Sequence, residues 1–321
     1  MKNRIRKRLK WALALALIAF AALNLFAYIH AYQMTHFVVA GERTPNPEKL
    51  SFTEQLGVFL TGVIIPKPSD SLPPYLLDLP HERFTIAGYN ELNLDVLHLQ
   101  QDESQAAILF FHGYAGTKSQ VALEAAELFK AGYDIYAVDF HGSGGSSGNT
   151  TSIGYHEAED VRALYKEVRQ RHPDKKLVLY GFSMGASAVI TAMHRFDVAP
   201  EAAILAFPFS SLLETTENRF RTMGVPAFPV AHLLTFWGGF LHGFDGLDYE
   251  PAEFAKTIRV PILQLHGTQD PRVSEEQARS TFEAFRGPKK WILFTESGHV
   301  SFLRTEPTKW RQTVLPYISN L

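Results

Sequence analysis

The chain has 321 residues, 46% of them hydrophobic, with 31 Lys and Arg against 33 Asp and Glu. That length and composition suffice for one large hydrophobic core or two smaller ones. Cysteine is absent, which excludes disulfides, a thiol nucleophile and cysteine-ligated zinc.

The N-terminus joins a basic segment to a long apolar one. Residues 11–29 hold one strongly polar side chain, Asn24. At 1.5 Å per residue, a helix of this length covers about 28 Å, close to the thickness of a hydrocarbon core. No charge follows until Glu42, so the positive-inside rule predicts a cytoplasmic N-terminus and an outside location for the rest of the chain. The basic residues ahead of the apolar run are Lys2, Arg4, Arg6, Lys7, Arg8 and Lys10.

We therefore expect an uncleaved, single-pass membrane anchor. The alternative is a cleaved signal peptide, whose apolar region is normally about 7 to 15 residues long and ends at an A-x-A-like site. Here the apolar run is longer, and the nearest small-residue site, at residues 27–31, carries Tyr28, Ile29 and His30.

The rest of the chain is mildly acidic. Taking the six N-terminal basic residues from the 31 leaves 25 Lys and Arg against 33 Asp and Glu, a net charge of −8 over residues 31–321. No dense basic run occurs there, so the sequence offers no footprint for nucleic acid or for electrostatic docking on anionic lipid.

A linker is expected over residues 31–80. It contains a second apolar run at residues 56–65, which ends at Pro66 and Pro68 and is too short to span a bilayer. The run predicts a short helix that packs on the domain or, alternatively, lies on the membrane surface. Residues 69–80 are rich in proline and are typical of a connector.

From residue 84 onward, short apolar runs alternate with amphipathic segments, which predicts a parallel sheet covered by helices on both faces. The predicted strands are residues 93–99, which alternate like an edge strand, and 107–111, 135–138, 177–180, 202–206, 261–265 and 289–294. The predicted helices are residues 119–130, 155–171, a helix directly behind residue 183, one from residue 274 and one near 307–318.

One predicted strand leads straight into a helix through the stretch L-V-L-Y-G-F-S-M-G-A-S-A. A Gly-x-Ser-x-Gly turn between a strand and a helix exposes the serine hydroxyl at the strand tip, so Ser183 is the candidate nucleophile. Residues 144–148 match the same five-letter pattern around Ser146. No helix starts at residues 149–151, and we interpret Ser146 as a loop residue.

An activated serine needs a general base and an acid that orients the base. Asp270 follows a predicted strand in the segment H-G-T-Q-D-P-R-V, and His299 follows the next strand in E-S-G-H-V. Both residues come after strand ends, where open α/β sheets place their active sites. Asp270 beside Pro271 is alternatively a turn-former, with Asp245 and Asp248 as the reserve acids.

Several motifs together resemble the α/β-hydrolase superfamily over residues of about 80 to 320. F-F-H-G-Y-A-G is similar to its strand-end H-G turn, D-F-H-G-S-G-G-S-S-G to its D-x-R-G-x-G-x-S loop, G-F-S-M-G to its nucleophile turn, and H-G-T-Q-D-P and S-G-H to its acid and base. Within the superfamily, the chain resembles membrane-tethered serine hydrolases of the serine aminopeptidase and monoacylglycerol lipase branch. One departure is His141, where this loop usually carries arginine; hydrogen bonding within the loop is the expected role.

The resemblance implies a mostly parallel, twisted sheet with helices on both faces and an inserted helical cap, preceded by one transmembrane helix. The implied division is a basic tail and anchor at residues 1–30, a linker at 31–80 and a hydrolase domain at 81–321, with the cap at about 207–258. It also implies an oxyanion hole made by the backbone N–H groups of Met184 and Tyr114, with Ala115 as the alternative to Tyr114. His112 is expected to fix the loop rather than carry a proton.

The predicted cap is rich in aromatic and apolar side chains, which either line an acyl-chain channel or form the cap's own core. These residues are Phe209, Phe220, Met223, Phe228, Phe236, Trp237, Phe240, Leu241 and Phe244.

The sequence predicts a membrane-anchored serine hydrolase of the carboxylesterase or lipase type, which cleaves small-molecule or lipid esters, or thioesters, through an acyl-enzyme on Ser183. His299 would be the base and Asp270 its orienting acid. Amide or peptide hydrolysis or acyl transfer by the same triad, and a non-catalytic tethered binding protein, are the alternatives. No metal cluster or nucleotide-binding loop is present in the sequence pattern, so neither a metal nor a cofactor is expected.

Overall fold

The structure is a computed structural model that describes residues 2–45, 50–104 and 106–321. Met1 in the predicted basic tail, residues 46–49 in the predicted linker, and Gln105 lie outside the described residues. The side chains that are not described within helices are those of Lys2, Phe52 and Gln55.

Eight strands form one sheet in the order β1-β2-β4-β3-β5-β6-β7-β8. β2 pairs antiparallel with both β1 and β4, and the strands from β4 to β8 in that order are parallel. This is the predicted fold class. The strands are β1 (His81–Ala87), β2 (Asn93–Leu99), β3 (Ala106–Phe111), β4 (Asp134–Val138), β5 (Lys176–Phe182), β6 (Ala202–Ala206), β7 (Ile262–Gly267) and β8 (Lys289–Phe294).

The prediction that residues 93–99 form an edge strand is wrong. β2 lies between β1 and β4 and is buried from Leu94 to Leu99, while β1 forms the edge and is largely exposed. The apparent alternation of β2 came from Asp95 and His98. Both are buried because Asp95 pairs with Lys118 and His98 stacks on Tyr136 with ring centroids 4.0 Å apart.

Helices cover both faces of the sheet and extend from it at the N-terminus. The helices among the described residues are α1 (Lys2–Thr35), α2 (Phe52–Thr61), α3 (Pro74–Leu77), α4 (Ala122–Lys130), α5 (Glu157–Arg171), α6 (Met184–Arg195), α7 (Leu212–Thr222), α8 (Val230–Leu241), α9 (Pro251–Ala255), α10 (Glu275–Ala284), α11 (Phe302–Thr305) and α12 (Pro307–Ser319). A short 3-10 helix at Lys118–Val121 precedes α4.

Successive residues of the central strands point to opposite faces of the sheet, and both faces are covered. In β3, Ile108 and Phe110 belong to a core shared with α4, α11 and α12, whereas Leu109 and Phe111 belong to a second core shared with α5 and α6. Because both faces are buried, β3 consists of an uninterrupted apolar run.

The segment between β6 and β7, where the cap was predicted, contains α7, α8 and α9. Helix α1 packs along α8, with Ala27 and Ala31 buried in one apolar cluster with Ala231 and Leu234. The N-terminal helix is longer than the predicted 11–29 because the basic residues before it are good helix formers and no proline or glycine interrupts it. It is the one helix of the described chain that is long and apolar enough to cross a membrane.

The second apolar run forms helix α2, which lies beside α1. Phe59 packs on Phe26 with ring centroids 4.9 Å apart. Leu56 and Leu60, which are neighbours of Phe59 on α2, are 49% and 67% exposed. The helix therefore contacts α1 through Phe59 and leaves these two leucines exposed.

Candidate active site

The backbone around Ser183 forms a sharp turn between β5 and α6. Ser183 has φ 54° and ψ −117°, a strained conformation for a residue with a side chain, of the kind that costs about 1–3 kcal/mol and clusters at functional sites. Its N–H donates to Ala206 O at 2.7 Å, which fixes the turn against the end of β6.

The two glycines of the turn are required by close backbone approach. A Cβ on Gly185 would lie 2.2 Å from the carbonyl oxygen of Phe111, and a Cβ on Gly181 would lie 2.5 Å from the Cα of Ala186. The first turn of α6 therefore packs directly against the end of β3, and only glycine, which has no Cβ, fits at these two positions.

The loops that follow β5, β7 and β8 meet at one edge of the sheet because these strands are parallel and lie close together in the sheet order. Ser183 directly follows β5, Asp270 lies three residues after the end of β7, and His299 lies in the loop between β8 and α11. The structure thus brings together three residues that are 87 and 29 positions apart along the chain.

These three side chains form a continuous chain of hydrogen bonds. His299 Nε2 lies 2.9 Å from Ser183 Oγ, and His299 Nδ1 lies 2.6 Å from Asp270 Oδ2. An ionised carboxylate only accepts, so Nδ1 carries the proton and Nε2 is left to accept the hydroxyl hydrogen of Ser183. This is the geometry in which an imidazole acts as a general base toward a serine.

The carboxyl group of Asp270 is fully buried. Burial alone would raise its pKa, but the neighbouring His299 imidazole and the N–H groups of Arg272 and Val273, which both donate to Oδ1, outweigh burial and hold the pKa below its usual value. The carboxylate is therefore ionised at neutral pH and can orient the imidazole. The Asx-type bonds show that Asp270 also shapes the turn, as its alternative interpretation expected.

Two aromatic rings hold the imidazole in place. The rings of Phe207 and Phe182 lie 4.8 and 5.6 Å from the ring of His299, measured between centroids. Phe207 follows β6 with a positive φ of 57°. Phe207 was not among the candidates from the sequence, although its place directly after a strand at the same sheet edge is a signal that could have identified it.

The predicted oxyanion residues follow two neighbouring parallel strands, β5 and β3. Met184 is the first residue of α6, where N–H groups have no partner within the helix, and Tyr114 lies in the loop after β3. Within the described residues, neither backbone N–H donates to a protein acceptor. Ala115, the alternative donor, has φ 48° and accepts a bond from Arg43 at its carbonyl oxygen, 3.2 Å away.

The loop that holds Tyr114 is fixed from several directions. His112 is buried, and burial lowers its pKa. Its Nδ1 lies 2.8 Å from Gly113 O and its Nε2 accepts from the N–H of Phe140 at 3.0 Å. The Tyr114 hydroxyl donates to the carbonyl oxygen of Met34, at the end of α1, at 2.5 Å. Both ring nitrogens of His112 are thus engaged in holding the loop.

A buried charge cluster, which no sequence motif predicted, surrounds the side chain of Lys118. The side-chain nitrogen of Lys118 lies 2.5, 2.8 and 3.0 Å from carboxylate oxygens of Asp139, Asp95 and Asp70, and Arg83 pairs with the last two. Three converging carboxylates are an arrangement that can hold a metal ion. Here the ammonium group takes the central place, so the cluster ties the 3-10 helix to β2 and β4.

The other sequence candidates lie away from the triad. Ser146 is buried, donates to Asp139 O at 2.5 Å and accepts from Asp95 N at 2.8 Å. Asp245 caps a turn by accepting from the N–H groups of Leu247 and Asp248, and both of these aspartates are exposed.

His141 bonds outside its loop, contrary to the expectation. Its Nδ1 and its backbone N–H both lie within hydrogen-bond distance of Asp160 Oδ2 on α5, at 2.6 and 3.0 Å. Burial lowers its pKa, but the carboxylates of Asp160 and Glu157 raise it more, to about 9. A protonated His141 therefore supplies the positive charge that arginine would bring to this position.

The chain is similar in sequence to one hydrolase family and to several curated proteins. Residues 102–231 match the family described as serine aminopeptidase, S33. The chain is 23% identical over 242 residues to the uncharacterized protein YqkD of Bacillus subtilis, covering 74% of this chain and 79% of YqkD. It is 26% identical over 192 residues to the lysophosphatidylserine lipase ABHD12 of Macaca fascicularis, covering 56% of this chain and 45% of the lipase, less than half of its length.

Among solved structures, the esterase PF2001 of Pyrococcus furiosus superposes with a TM-score of 0.67 at 21% identity, over 79% of this chain and 96% of the esterase. At that identity the likeness demonstrates the fold, which is the α/β-hydrolase fold.

Proposed function

We propose that this chain, which has the α/β-hydrolase fold, belongs to the α/β-hydrolase superfamily and acts as a membrane-anchored serine hydrolase on carboxylic ester bonds. The observation that carries the proposal is the hydrogen-bonded chain from Ser183 through His299 to Asp270. Esterases and a lipase among the similar proteins support a hydrolase that acts on esters. We retain the predicted division into anchor, linker and hydrolase domain, although α1 continues five residues beyond residue 30.

In the proposed reaction, Ser183 Oγ attacks the ester carbonyl carbon while His299 Nε2 takes the hydroxyl proton. The negative charge that develops on the carbonyl oxygen is met by the N–H groups of Met184 and Tyr114, each of which contributes about 3–4 kcal/mol in sites of this kind. The imidazolium then gives its proton to the leaving alcohol, and an acyl-enzyme remains. Water, deprotonated by the same imidazole, releases the acid and restores the serine.

A fluorophosphonate probe tests the nucleophile. We expect the folded wild type to be labelled and Ser183→Ala to remain unlabelled. Ser146→Ala is the matched control, because it removes the serine of the second Gly-x-Ser-x-Gly pattern and should leave labelling of the folded protein intact. Absence of labelling in the wild type, or equal labelling of Ser183→Ala, would overturn the proposed mechanism.

We propose lipid or other apolar esters as the substrate class. The support is the long apolar helix at the N-terminus together with the apolar side chains that α2 and α8 leave exposed. A series of chromogenic esters of increasing acyl length, with Ser183→Ala as the blank, tests this assignment. Rising kcat/KM with acyl length is expected, and a preference for short soluble acyl groups would contradict it.

We propose that the N-terminus is cytoplasmic and the hydrolase domain extracytoplasmic, on the basis of the six basic residues before the apolar run. Because the chain has no cysteine, single cysteines report topology without background. In intact cells, a membrane-impermeant maleimide should label Asp102→Cys, in the exposed turn between β2 and β3, and should label Asn3→Cys only after permeabilisation. The reverse pattern would contradict the proposed orientation.

A further inference from the structure

Only part of the apolar length of helix α1 makes no contact with the rest of the protein. Side chains at residues 11–22 are nearly all exposed, for example Leu13 at 62% and Phe20 at 62%. Partial burial begins at Leu23 and Asn24, and Ala27 and Ala31 are buried. The part of α1 that lipid alone can surround is therefore the part before residue 23.

That free apolar part is too short to cross a bilayer. Its 12 residues cover about 18 Å at 1.5 Å per residue, against a hydrocarbon core of about 30 Å. One further turn from the basic segment, with Lys10 and Arg8 extending toward the headgroups, brings the length to about 24 Å. Any tilt of the helix increases the number of residues that are needed.

The remaining length must come from the residues that dock on α8. Asn24 Oδ1 accepts from Trp237 Nε1 at 3.3 Å, and the rings of Tyr28 and Trp237 lie 5.3 Å apart. Just past the C-terminal ends of both helices, the ring centroids of His36 and His242 lie 5.4 Å apart. The contacts advance in the same direction on α1 and α8, so α8 runs beside the part of α1 that completes the span.

The composition of α8 suits this position. Residues 230–241 contain no Asp, Glu, Lys or Arg. We define the apolar cap surface as the side chains of Phe228, Phe236 and Phe240, which are exposed by 43% to 73%. The rings of Phe236 and Phe240 stack at 6.1 Å, so the two exposed phenylalanines form one continuous patch.

We propose that α8 and the apolar cap surface are immersed in the lipid leaflet on the catalytic side of the membrane. This inference rests on the proposed anchoring by α1 and adds a second element that contacts the bilayer. It differs from the simpler interpretation, in which the phenylalanines of α8 belong only to the cap's own core.

The immersion sets the height of the active site. A hydrocarbon core that starts at Trp11 needs about 20 residues of helix and ends near His30. Met34 lies four residues further along α1, about 6 Å into the headgroup layer, and its carbonyl oxygen accepts from the Tyr114 hydroxyl. The loop predicted to stabilise the oxyanion thus lies at the depth of lipid headgroups, so an ester near the membrane surface reaches it without leaving the interface.

Depth-dependent fluorescence quenching on the full-length protein tests the proposal. Phe240→Cys, Phe228→Cys, Leu17→Cys and Asp102→Cys are each labelled with an environment-sensitive fluorophore and reconstituted in vesicles of phosphatidylcholine and phosphatidylglycerol. The vesicles carry nitroxide groups on the acyl chains. Each variant is first checked for cooperative thermal unfolding. If one of the variants at Phe228 and Phe240 does not fold, the other still tests the proposal.

We expect labels at Phe228 and Phe240 to show blue-shifted emission and roughly twofold or greater quenching relative to the label at Asp102, which lies at the opposite end of the sheet. Strong quenching at Leu17 with none at Phe228 or Phe240 would overturn the immersion of α8 and leave the anchor intact. No quenching at Leu17 would overturn the anchoring itself.

Discussion

The two Gly-x-Ser-x-Gly turns of this chain have the same pattern and opposite environments. Ser183 lies between a strand and a helix at φ 54°, and its hydroxyl meets one side chain, the imidazole of His299. Ser146 is 1% exposed, and its hydroxyl is bonded to two backbone groups. A serine that is fully bonded to the backbone stabilises its loop, whereas a serine that is left to an imidazole is available for reaction.

The largest expected effect is on activity. Ser183→Ala should lower kcat by about 10⁶-fold, because the nucleophile and its base act as a unit, with little change in stability. Ser146→Ala should retain activity in its folded fraction and should lower the free energy of unfolding by about 1–3 kcal/mol, because buried polar groups of the backbone lose their partner. Steady-state kinetics and urea unfolding measure both. An equal loss of activity in folded Ser183→Ala and Ser146→Ala would contradict the assignment of Ser183 as the nucleophile and Ser146 as a loop residue.

The orienting acid is the next test of the Ser183 region. Asp270→Asn leaves the shape of the side chain but removes the charge that fixes the proton on Nδ1 of His299, so kcat should fall by about 10⁴-fold. The pH profile of kcat/KM in both proteins is the measurement. If Asp245→Asn or Asp248→Asn lowered kcat as much, Asp270 would not be the orienting acid.

The last glycines of the two patterns should differ in their tolerance of a side chain. At Gly185, a Cβ would meet two backbone carbonyl oxygens at 2.2 and 2.6 Å. Gly185→Ala should therefore lower the free energy of unfolding by about 3 kcal/mol or more. At Gly148, the nearest atom is the end of the Leu92 side chain at 3.3 Å, although φ is 83°. Gly148→Ala should lower the free energy of unfolding by about 1–2 kcal/mol, because only the left-handed backbone conformation opposes the new side chain. Chemical denaturation of both variants decides the order.

The smallest effect concerns pH and the loop of Ser146. The pKa of His141 is raised from 6.5 to about 9 in the folded protein, so its stabilising effect is complete below about pH 6.5 and is lost as the pH rises through about 9. The wild type should lose about 1–3 kcal/mol more than His141→Gln over this interval. The free energy of unfolding of the wild type and of His141→Gln is measured at about pH 6.5 and about pH 9. An equal change in both proteins would show that His141 is neutral in the folded protein.

The chain order and the strand ends were enough to predict that Ser183, Asp270 and His299 lie together, because each of them follows its own strand closely in sequence. The strand-to-helix context also separated Ser183 from Ser146. The fold class followed from alternating apolar and amphipathic segments, which are local properties of the chain.

Contacts between distant segments were not predictable in the same way. Lys118 resembles a surface lysine in its local sequence, yet it is buried because Asp70, Asp95 and Asp139 reach it from three other segments. The partner of His141 lies on α5, and the partner of α1 is a helix about 200 residues away. The hydrophobic periodicity of one segment carries no information about which distant segment it contacts.

The docking of α1 on α8 also has a consequence for biosynthesis. His36 is made roughly 200 residues before His242, its neighbour across the two helices. At about 5 to 20 residues per second, the ribosome needs about 10 to 40 seconds to supply α8. During that interval, the small-residue face of α1 at Ala27 and Ala31 has none of its final protein neighbours from α8. Under the proposed anchoring, α1 therefore contacts lipid before it contacts α8, and the folded domain must displace the lipid that covers this face of α1 in the meantime.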